Sequence, residues 1–242
     1  GIAIALVVAY MPVQLKAQVN GEFTEIKLIE GQSYVPLTNA IELPNTMFAL
    51  PPNFSPEDSD DGYAIVDLRN TGHNFRFEFN GEKVNEIYIS ANGFLTFKRP
   101  PNLPAKNPKA LFWDANNFPV NVIAPFWGDH FYRDDEDFFQ NGYVQSKILW
   151  KIDTLPTSQR VLTVEWRNLN INYLLGVEPL KASVATFQVK LYESMDLYTM
   201  QGDIEFCYNV IGNNPNVNDT RVATKGATIG IKGEGKIVGE GA

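Results

Sequence analysis

The chain has 242 residues, of which 44% are hydrophobic and 20% charged, a composition typical of one large or two small globular domains with a buried core. Its net charge of −8 argues against nucleic-acid binding, because a polyanion requires a basic surface that releases counterions. The single cysteine, Cys207, excludes an internal disulfide and is expected to be a buried, inert thiol.

The N-terminus carries an apolar run over residues 2–11, followed by Pro12 and the sequence LKAQ. This run has the length of the hydrophobic region of a signal peptide and is too short to span a bilayer. We therefore predict that residues 1–17 are the end of a signal peptide that is cleaved after Ala17. A buried N-terminal strand is the alternative. Export without disulfides points to a bacterial secreted or surface protein.

Residues 18–62 are predicted to be a lead-in to the main domain. The turn signal Asn20-Gly21 indicates one or two strands, and a proline-rich, acidic stretch then predicts an extended linker. The sequence EDSDDG at 57–62 offers Asp58, Asp60 and Asp61 to Ca²⁺, although such loops are commonly just flexible.

From Tyr63 to residue 232 apolar and polar residues alternate, which is the pattern of half-buried strands. The segments 143–152 and 161–169 are predicted to pair across Pro156, and NVIAPFW (121–127) is predicted to be a buried strand with a bulge or the end of regular pairing at Pro125. The predicted inward-facing residues are Phe75, Phe77, Phe79, Ile87, Ile89, Leu162, Val164, Trp166, Phe187, Val189, Leu191, Ile204, Phe206, Tyr208, Ile229 and Ile231.

About eight strands at this spacing, without a convincing helical period, predict an all-β fold: an antiparallel β-sandwich, or a jelly-roll-like arrangement of it. The domain is placed at 63–232. The Gly-rich residues 233–242 predict a linker that leads to further domains of the same polypeptide.

The order of these segments resembles the nidogen-like (NIDO-type) extracellular domain. The matching residues are Phe77, Phe79, Gly81, Ser90, Asn92, Gly93 and Phe97 in the hairpin, Ala124, Pro125, Phe126, Trp127 and Asp129 in the APFWGD segment, and Trp166, Phe187, Gln188 and Val189 in later strands. The resemblance implies a secreted or cell-surface domain of adhesive or matrix proteins, without a catalytic constellation. The N-terminus and composition are similar to secreted proteins of Bacteroidetes-type bacteria.

Asp129 lies in the predicted exit turn after the buried strand, and an acidic run follows shortly afterwards. Hard oxygen ligands suit Ca²⁺ better than Zn²⁺, so the candidate calcium ligands are Asp129, Asp134, Asp135 and Asp137. The alternative is a solvated acidic loop in which Asp129 accepts hydrogen bonds at the strand end. His130 is interpreted as an incidental neighbour, and His73 has no obvious partner.

The connections 99–119 and 129–142 are rich in aromatic residues. Loop aromatics stack on sugar rings or anchor protein interfaces, so the candidate ligand contacts are Phe112, Trp113, Phe118 and Tyr132. The alternative is that these side chains fold back and plug the ends of the sandwich.

Catalytic signals are weak, since the chain has no Gly-x-Ser-x-Gly motif and Cys207 lies in the middle of a predicted strand. The sequence therefore predicts a secreted or cell-surface adhesion module without catalysis, with Ca²⁺ as the one candidate cofactor. Its partner would be an extracellular protein or glycan, without nucleic acid or a membrane span. The rival is a carbohydrate-binding module or a glycan-active hydrolase with Glu165 and Glu205 as a carboxylate pair on one sheet face. A purely structural domain is a third alternative.

Overall fold

The structure is a computed structural model that describes residues 2–7, 17–20, 23–29, 31–54, 57–72, 75–100, 120–132, 145–171, 184–195, 202–212 and 227–233. Within these ranges all regular elements are strands apart from two short 3-10 turns, Asn45–Met47 and Leu68–Asn70. The all-β prediction is confirmed.

The strands in chain order are β1 (Ile2–Val7), β2 (Ala17–Asn20), β3 (Phe23–Leu28), β4 (Ile41–Glu42), β5 (Tyr63–Asp67), β6 (Glu78–Phe79), β7 (Glu82–Lys83), β8 (Glu86–Ser90), β9 (Leu95–Thr96), β10 (Val122–Trp127), β11 (Lys147–Thr154), β12 (Arg160–Asn170), β13 (Val184–Tyr192), β14 (Ile204–Gly212) and β15 (Thr228–Lys232).

These strands form two large sheets. The seven-stranded sheet has the order β3-β1-β14-β13-β12-β11-β4, the six-stranded sheet has the order β2-β15-β10-β9-β8-β5, and β6 pairs with β7 in a separate hairpin. Pairing is antiparallel except where the N-terminal strands join: β1 lies parallel to β3 and β14, and β2 lies parallel to β15. Residues 2–7 thus lie in a sheet strand, while the signal peptide at 1–17 and its cleavage after Ala17 stay a prediction.

One hydrophobic core lies between the two sheets, as the alternation of apolar residues predicted. Every residue predicted to face inward belongs to this core, from Phe75 on the first hairpin to Ile231 on β15. β11 and β12 pair with each other on either side of Pro156, as predicted, and their antiparallel register sets Ile148 opposite Trp166. The pairing of β10 with β15 shifts between Ala124 and Trp127, so Pro125 marks a bulge.

The outer face of the seven-stranded sheet is covered by part of the lead-in, which we call the strap (residues 33–38). The amide of Leu37 donates to Oε2 of Glu165 at 2.8 Å, and Arg167 Nη2 donates back to the Leu37 carbonyl oxygen at 2.9 Å. Gln188 Nε2 donates to the carbonyl oxygen of Val35 at 2.9 Å. This part of the lead-in therefore packs on the sandwich.

Candidate functional site

Three carboxylates converge at one end of the sandwich, and we call them the carboxylate cluster. Asp60, Asp61 and Asp129 each offer an oxygen, and these oxygens lie within 4.8 Å of one another. Asp60 and Asp61 come from the acidic stretch before β5, and Asp129 from the turn after β10. Two acidic segments that the sequence analysis considered separately therefore contribute to a single cluster.

The acidic loop has a fixed shape because its backbone amides are held by the side chain of Asp58. Oδ1 of Asp58 accepts from the amides of Asp60 and Asp61, both at 2.9 Å, an Asx-type turn. Gly62 closes this loop, and a Cβ there would lie 2.1 Å from the Asp58 carbonyl oxygen and 2.7 Å from the Ala49 nitrogen. No larger residue fits at position 62 without moving the backbone.

Asn92 connects the acidic loop to the turn that follows β10. Its Nδ2 donates to Oδ1 of Asp61 at 3.1 Å, while its Oδ1 accepts from the backbone amide of His130 at 2.8 Å. Its carbonyl oxygen accepts from the amide of Gly128 at 3.2 Å. Asn92 is buried, so its polar groups bond to the protein instead of to water. This single motif residue fixes the positions of both halves of the cluster.

His130 is a core residue rather than the incidental neighbour that the sequence analysis expected. Its side chain is fully buried and lies parallel to the ring of Phe126, with the ring centroids 5.3 Å apart. Nε2 lies 3.0 Å from the Phe126 carbonyl oxygen and must carry the hydrogen, because a carbonyl only accepts. Burial lowers the pKa of His130 to about 4, although the hydrogen bond to Phe126 opposes this effect. The imidazole is therefore neutral near pH 7.

Two glycines, Gly93 of the hairpin motif and Gly128 within the APFWGD segment, make room for this imidazole. A Cβ on Gly128 would lie 2.4 Å from Cε1 of His130. A Cβ on Gly93, which has a φ of +79°, would lie 2.3 Å from the Phe126 carbonyl oxygen and 3.2 Å from Cδ2 of His130. The ANG turn and the WGD turn therefore close around a histidine that the motif itself does not include.

The cluster has the chemistry of a Ca²⁺ site. Ca²⁺ prefers oxygen ligands and binds them at about 2.3–2.6 Å, and the three carboxylates each bring an oxygen to within 4.8 Å of the other two, close enough for one ion to contact all three. Carboxylates at this separation repel one another unless a cation or a proton offsets their charge. Asp60, Asp61 and Asp129 are the residues that would hold the ion.

The candidate residues from the sequence have different outcomes. Asp129 belongs to the carboxylate cluster. Tyr132 is fully buried, packs edge-to-face on Phe48 at 5.1 Å and donates to the Leu43 carbonyl oxygen at 2.7 Å, so its prediction as a ligand contact is wrong and it plugs the end of the sandwich instead. The others, Phe112, Trp113, Phe118, Asp134, Asp135 and Asp137, lie outside the described residues.

The carboxylate pair of the hydrolase alternative does not form an open catalytic groove. Glu165 has 0% side-chain exposure and accepts from Arg167 Nε and Gln188 Nε2, both at 2.5 Å, beneath the strap. Glu205 accepts from the Tyr192 hydroxyl and from Lys190 Nζ at 3.4 Å. The alternation placed Glu165 correctly on the face opposite the core, but the strap shields that face from solvent.

Cys207 is buried, as expected. Burial and then the charge of Glu205 raise the pKa of its thiol to about 12. The thiol therefore stays protonated near neutral pH and is a poor nucleophile.

The convergence of the two acidic segments follows from strand order, which the sequence analysis did not resolve. Neighbours β5, β8, β9 and β10 run alternately up and down the six-stranded sheet. The start of β5, the turn between β8 and β9, and the end of β10 therefore lie at the same end of the sheet. Asp61, Asn92 and Asp129 occupy those three positions.

The two packed sheets define the chain as an all-β sandwich protein. The family of domains described as NIDO related matches residues 55–240, and the chain belongs to this nidogen-related family. No curated protein and no solved structure matches the chain. Among the described residues, no helix is long and apolar enough to cross a membrane.

Proposed function

We propose that the chain is a secreted or cell-surface adhesion module that binds an extracellular protein or a glycan and has no catalytic activity. The observation that carries this proposal is the family match over residues 55–240, since nidogen-like domains are extracellular interaction modules. The burial of Glu165 and Cys207 also supports a binding role, because neither side chain is available to a substrate. A bacterial origin and further domains in the same polypeptide remain part of the proposal.

The second part of the proposal is that Ca²⁺ binds to the carboxylate cluster and holds the end of the sandwich in one conformation. Asp60, Asp61 and Asp129 supply the convergent oxygens. Asp134, Asp135 and Asp137 follow Asp129 closely in the sequence and are proposed to complete the ligand set. The aromatic residues Phe112, Trp113 and Phe118 are proposed to contact the partner.

Thermal unfolding with Ca²⁺, with Mg²⁺ and with a chelator tests the calcium site. Ca²⁺ at a hundredfold excess over its Kd stabilises a folded protein by about 2.7 kcal/mol, which raises the Tm of a domain of this size by roughly 5 to 10 °C. The rise should be absent in Asp129→Asn and present in Asp153→Asn, whose carboxylate is 43% exposed and pairs with Lys151. An equal Tm with Ca²⁺ and with chelator would rule out the calcium site.

Binding of the labelled protein to immobilised matrix proteins and to a glycan array tests the adhesion role. We expect saturable binding to at least one class of ligand, reduced by the chelator and by Asp129→Asn. Binding that neither the chelator nor Asp129→Asn reduces would show that adhesion does not depend on the calcium site. Hydrolysis of an arrayed glycan would contradict the proposal, because it would make the chain an enzyme.

A further inference from the structure

A groove runs along the side of the sandwich where both sheets end. β4 is the last strand of the seven-stranded sheet, and β5 is the last strand of the six-stranded sheet. Between them lies a cavity of about 580 Å³. Its lining includes Leu43, Val66 and Trp150, which belong to the core between the sheets. The sandwich is therefore open to solvent along this side.

Three large apolar side chains that line the groove are exposed to solvent. Ile41, Met47 and Ile65 all line it, and they are 55%, 48% and 40% exposed. Ile41 lies opposite Trp150 in the β4–β11 pairing and so shares its inward-facing side of the sheet. Together the three side chains form an exposed apolar patch in one groove, and contiguous patches of this kind mark interaction sites.

The edge of β5 has hydrogen-bonding groups that match an extended backbone. The amide and carbonyl of Tyr63 both bond to Ala49, at 3.0 and 3.2 Å, so Tyr63 directs its backbone groups away from β8. Alternation along a strand then directs the amide and carbonyl of Ile65 outward as well. Within the described part of the chain neither group has a hydrogen-bond partner. The chain instead turns away through the 3-10 turn Asn45–Met47.

We propose that this groove binds an extended, apolar segment of a partner polypeptide, which pairs with β5 at Ile65 as an added strand. Alternate side chains of such a segment face inward, where they would pack on Ile41, Val66 and Trp150. The addition of a strand to an exposed sheet edge is an established mode of peptide recognition. This inference deepens the proposed adhesion role by giving the chemistry of one partner, and it does not depend on calcium.

The charged residues at the groove favour a partner segment whose inward-facing side chains carry no charge. Asp67 pairs with Arg69 at 2.8 Å, and Lys151 pairs with Asp153 at 2.7 Å. Both charged groups that line the groove are therefore already neutralised, and a charged guest side chain would lose hydration without gaining an ion pair.

A second copy of the chain fits this edge poorly. Symmetric antiparallel pairing of two β5 strands about Ile65 would set Asp67 of each copy opposite Tyr63 of the other. That outer edge of Tyr63 is already occupied by Ala49. A short segment from another polypeptide avoids this pairing, because it needs to bond only at Ile65, beside the 3-10 turn Asn45–Met47 that contacts β5.

The test uses a soluble probe peptide of alternating threonine and valine, flanked by lysines and blocked at both ends. A version of the same peptide with N-methylated backbone amides is the control, because it keeps the side chains but loses ladder hydrogen bonds. We expect the first peptide to bind and to slow amide exchange at Ile65 by roughly tenfold or more, while the methylated peptide does neither. Equal binding of both peptides, or no protection at Ile65, would overturn the proposal.

Variants of the protein locate the site. Ile65→Lys places a charge on the edge strand and should weaken peptide binding by roughly tenfold or more. Val210→Lys is the matched control, since Val210 is a β-branched strand residue with 42% exposure against 40% for Ile65, and it lies outside the groove lining. Equal weakening by both variants would contradict binding at β5.

Sedimentation of the protein without peptide tests whether a second copy of the chain fills the groove. We expect a monomer at micromolar concentration. A dimer that Ile65→Lys dissociates would show that a second copy fills the groove and would overturn the proposal. Adhesion to matrix proteins or glycans that survives a failed peptide test would leave the proposed function standing without this partner.

Discussion

Asn92 and Asp61 are separated by 31 positions in the sequence, yet Nδ2 of Asn92 donates a buried hydrogen bond of 3.1 Å to Oδ1 of Asp61. The same side chain accepts from the amide of His130. A residue of the family hairpin motif therefore fixes the position of a carboxylate in the carboxylate cluster. Asn92 therefore has a structural function at this end of the sandwich, and its replacement should lower the free energy of unfolding.

Asn92→Ala should destabilise the fold by about 3 kcal/mol, because it leaves both the His130 amide and the Asp61 carboxylate without this partner in a buried site. Urea unfolding monitored by tryptophan fluorescence measures the change. Asn70→Ala is the control: Asn70 also donates to an aspartate, Asp67 at 2.8 Å, but the pair is exposed, so its loss should stay within about 0.5 kcal/mol. Similar losses for both variants would contradict the special role of Asn92.

The burial of His130 should make stability depend on pH. The pKa is about 4 in the folded protein against an ordinary value of 6.5, so the unfolded chain binds the proton more readily. The contribution is fully present above pH 6.5 and is lost as the pH falls towards 4, by about 3 kcal/mol in total. The free energy of unfolding should therefore decline between pH 7 and pH 5.

His130→Gln removes this titration and should flatten that decline. The chain has one other histidine, His73, so His73→Gln tests whether the slope belongs to position 130. A slope that disappears in His73→Gln and persists in His130→Gln would refute the assignment.

Gly128→Ala should destabilise the protein mainly through contact with the imidazole of His130. The added Cβ would lie 2.4 Å from Cε1 of His130, and overpacking of this kind costs about 1 to 3 kcal/mol. In a His130→Ala background the same substitution should cost much less, because the atom that it meets is gone. The double-mutant cycle gives the coupling directly, and a coupling near zero would mean that Gly128 is required for another reason.

The alternation of apolar residues predicted the core well because it is a local property of each strand. Leu162, Val164 and Trp166 are buried in the core as expected. The same pattern could not predict the environment of Glu165, since the group that covers it, the amide of Leu37, lies 128 positions away. The carboxylate cluster could not be predicted from the sequence for a similar reason. Asp61 and Asp129 are brought together by the order of β5, β8, β9 and β10 in the sheet, which local patterns do not reveal.

Glu165→Ala should loosen the strap as well as destabilise the fold. The carboxylate accepts from the Leu37 amide, Arg167 and Gln188, and its removal leaves the Arg167 charge without its partner, at a cost of about 3 kcal/mol or more. Amide exchange at Leu37 should accelerate beyond the change at core amides such as that of Val164. Glu42→Ala is the control, because its pair with Lys147 is about one-third exposed on each side and its loss should cost less than about 1 kcal/mol. Unchanged exchange at Leu37 in Glu165→Ala would show that the strap is held by its other contacts, such as the Gln188 bond to Val35.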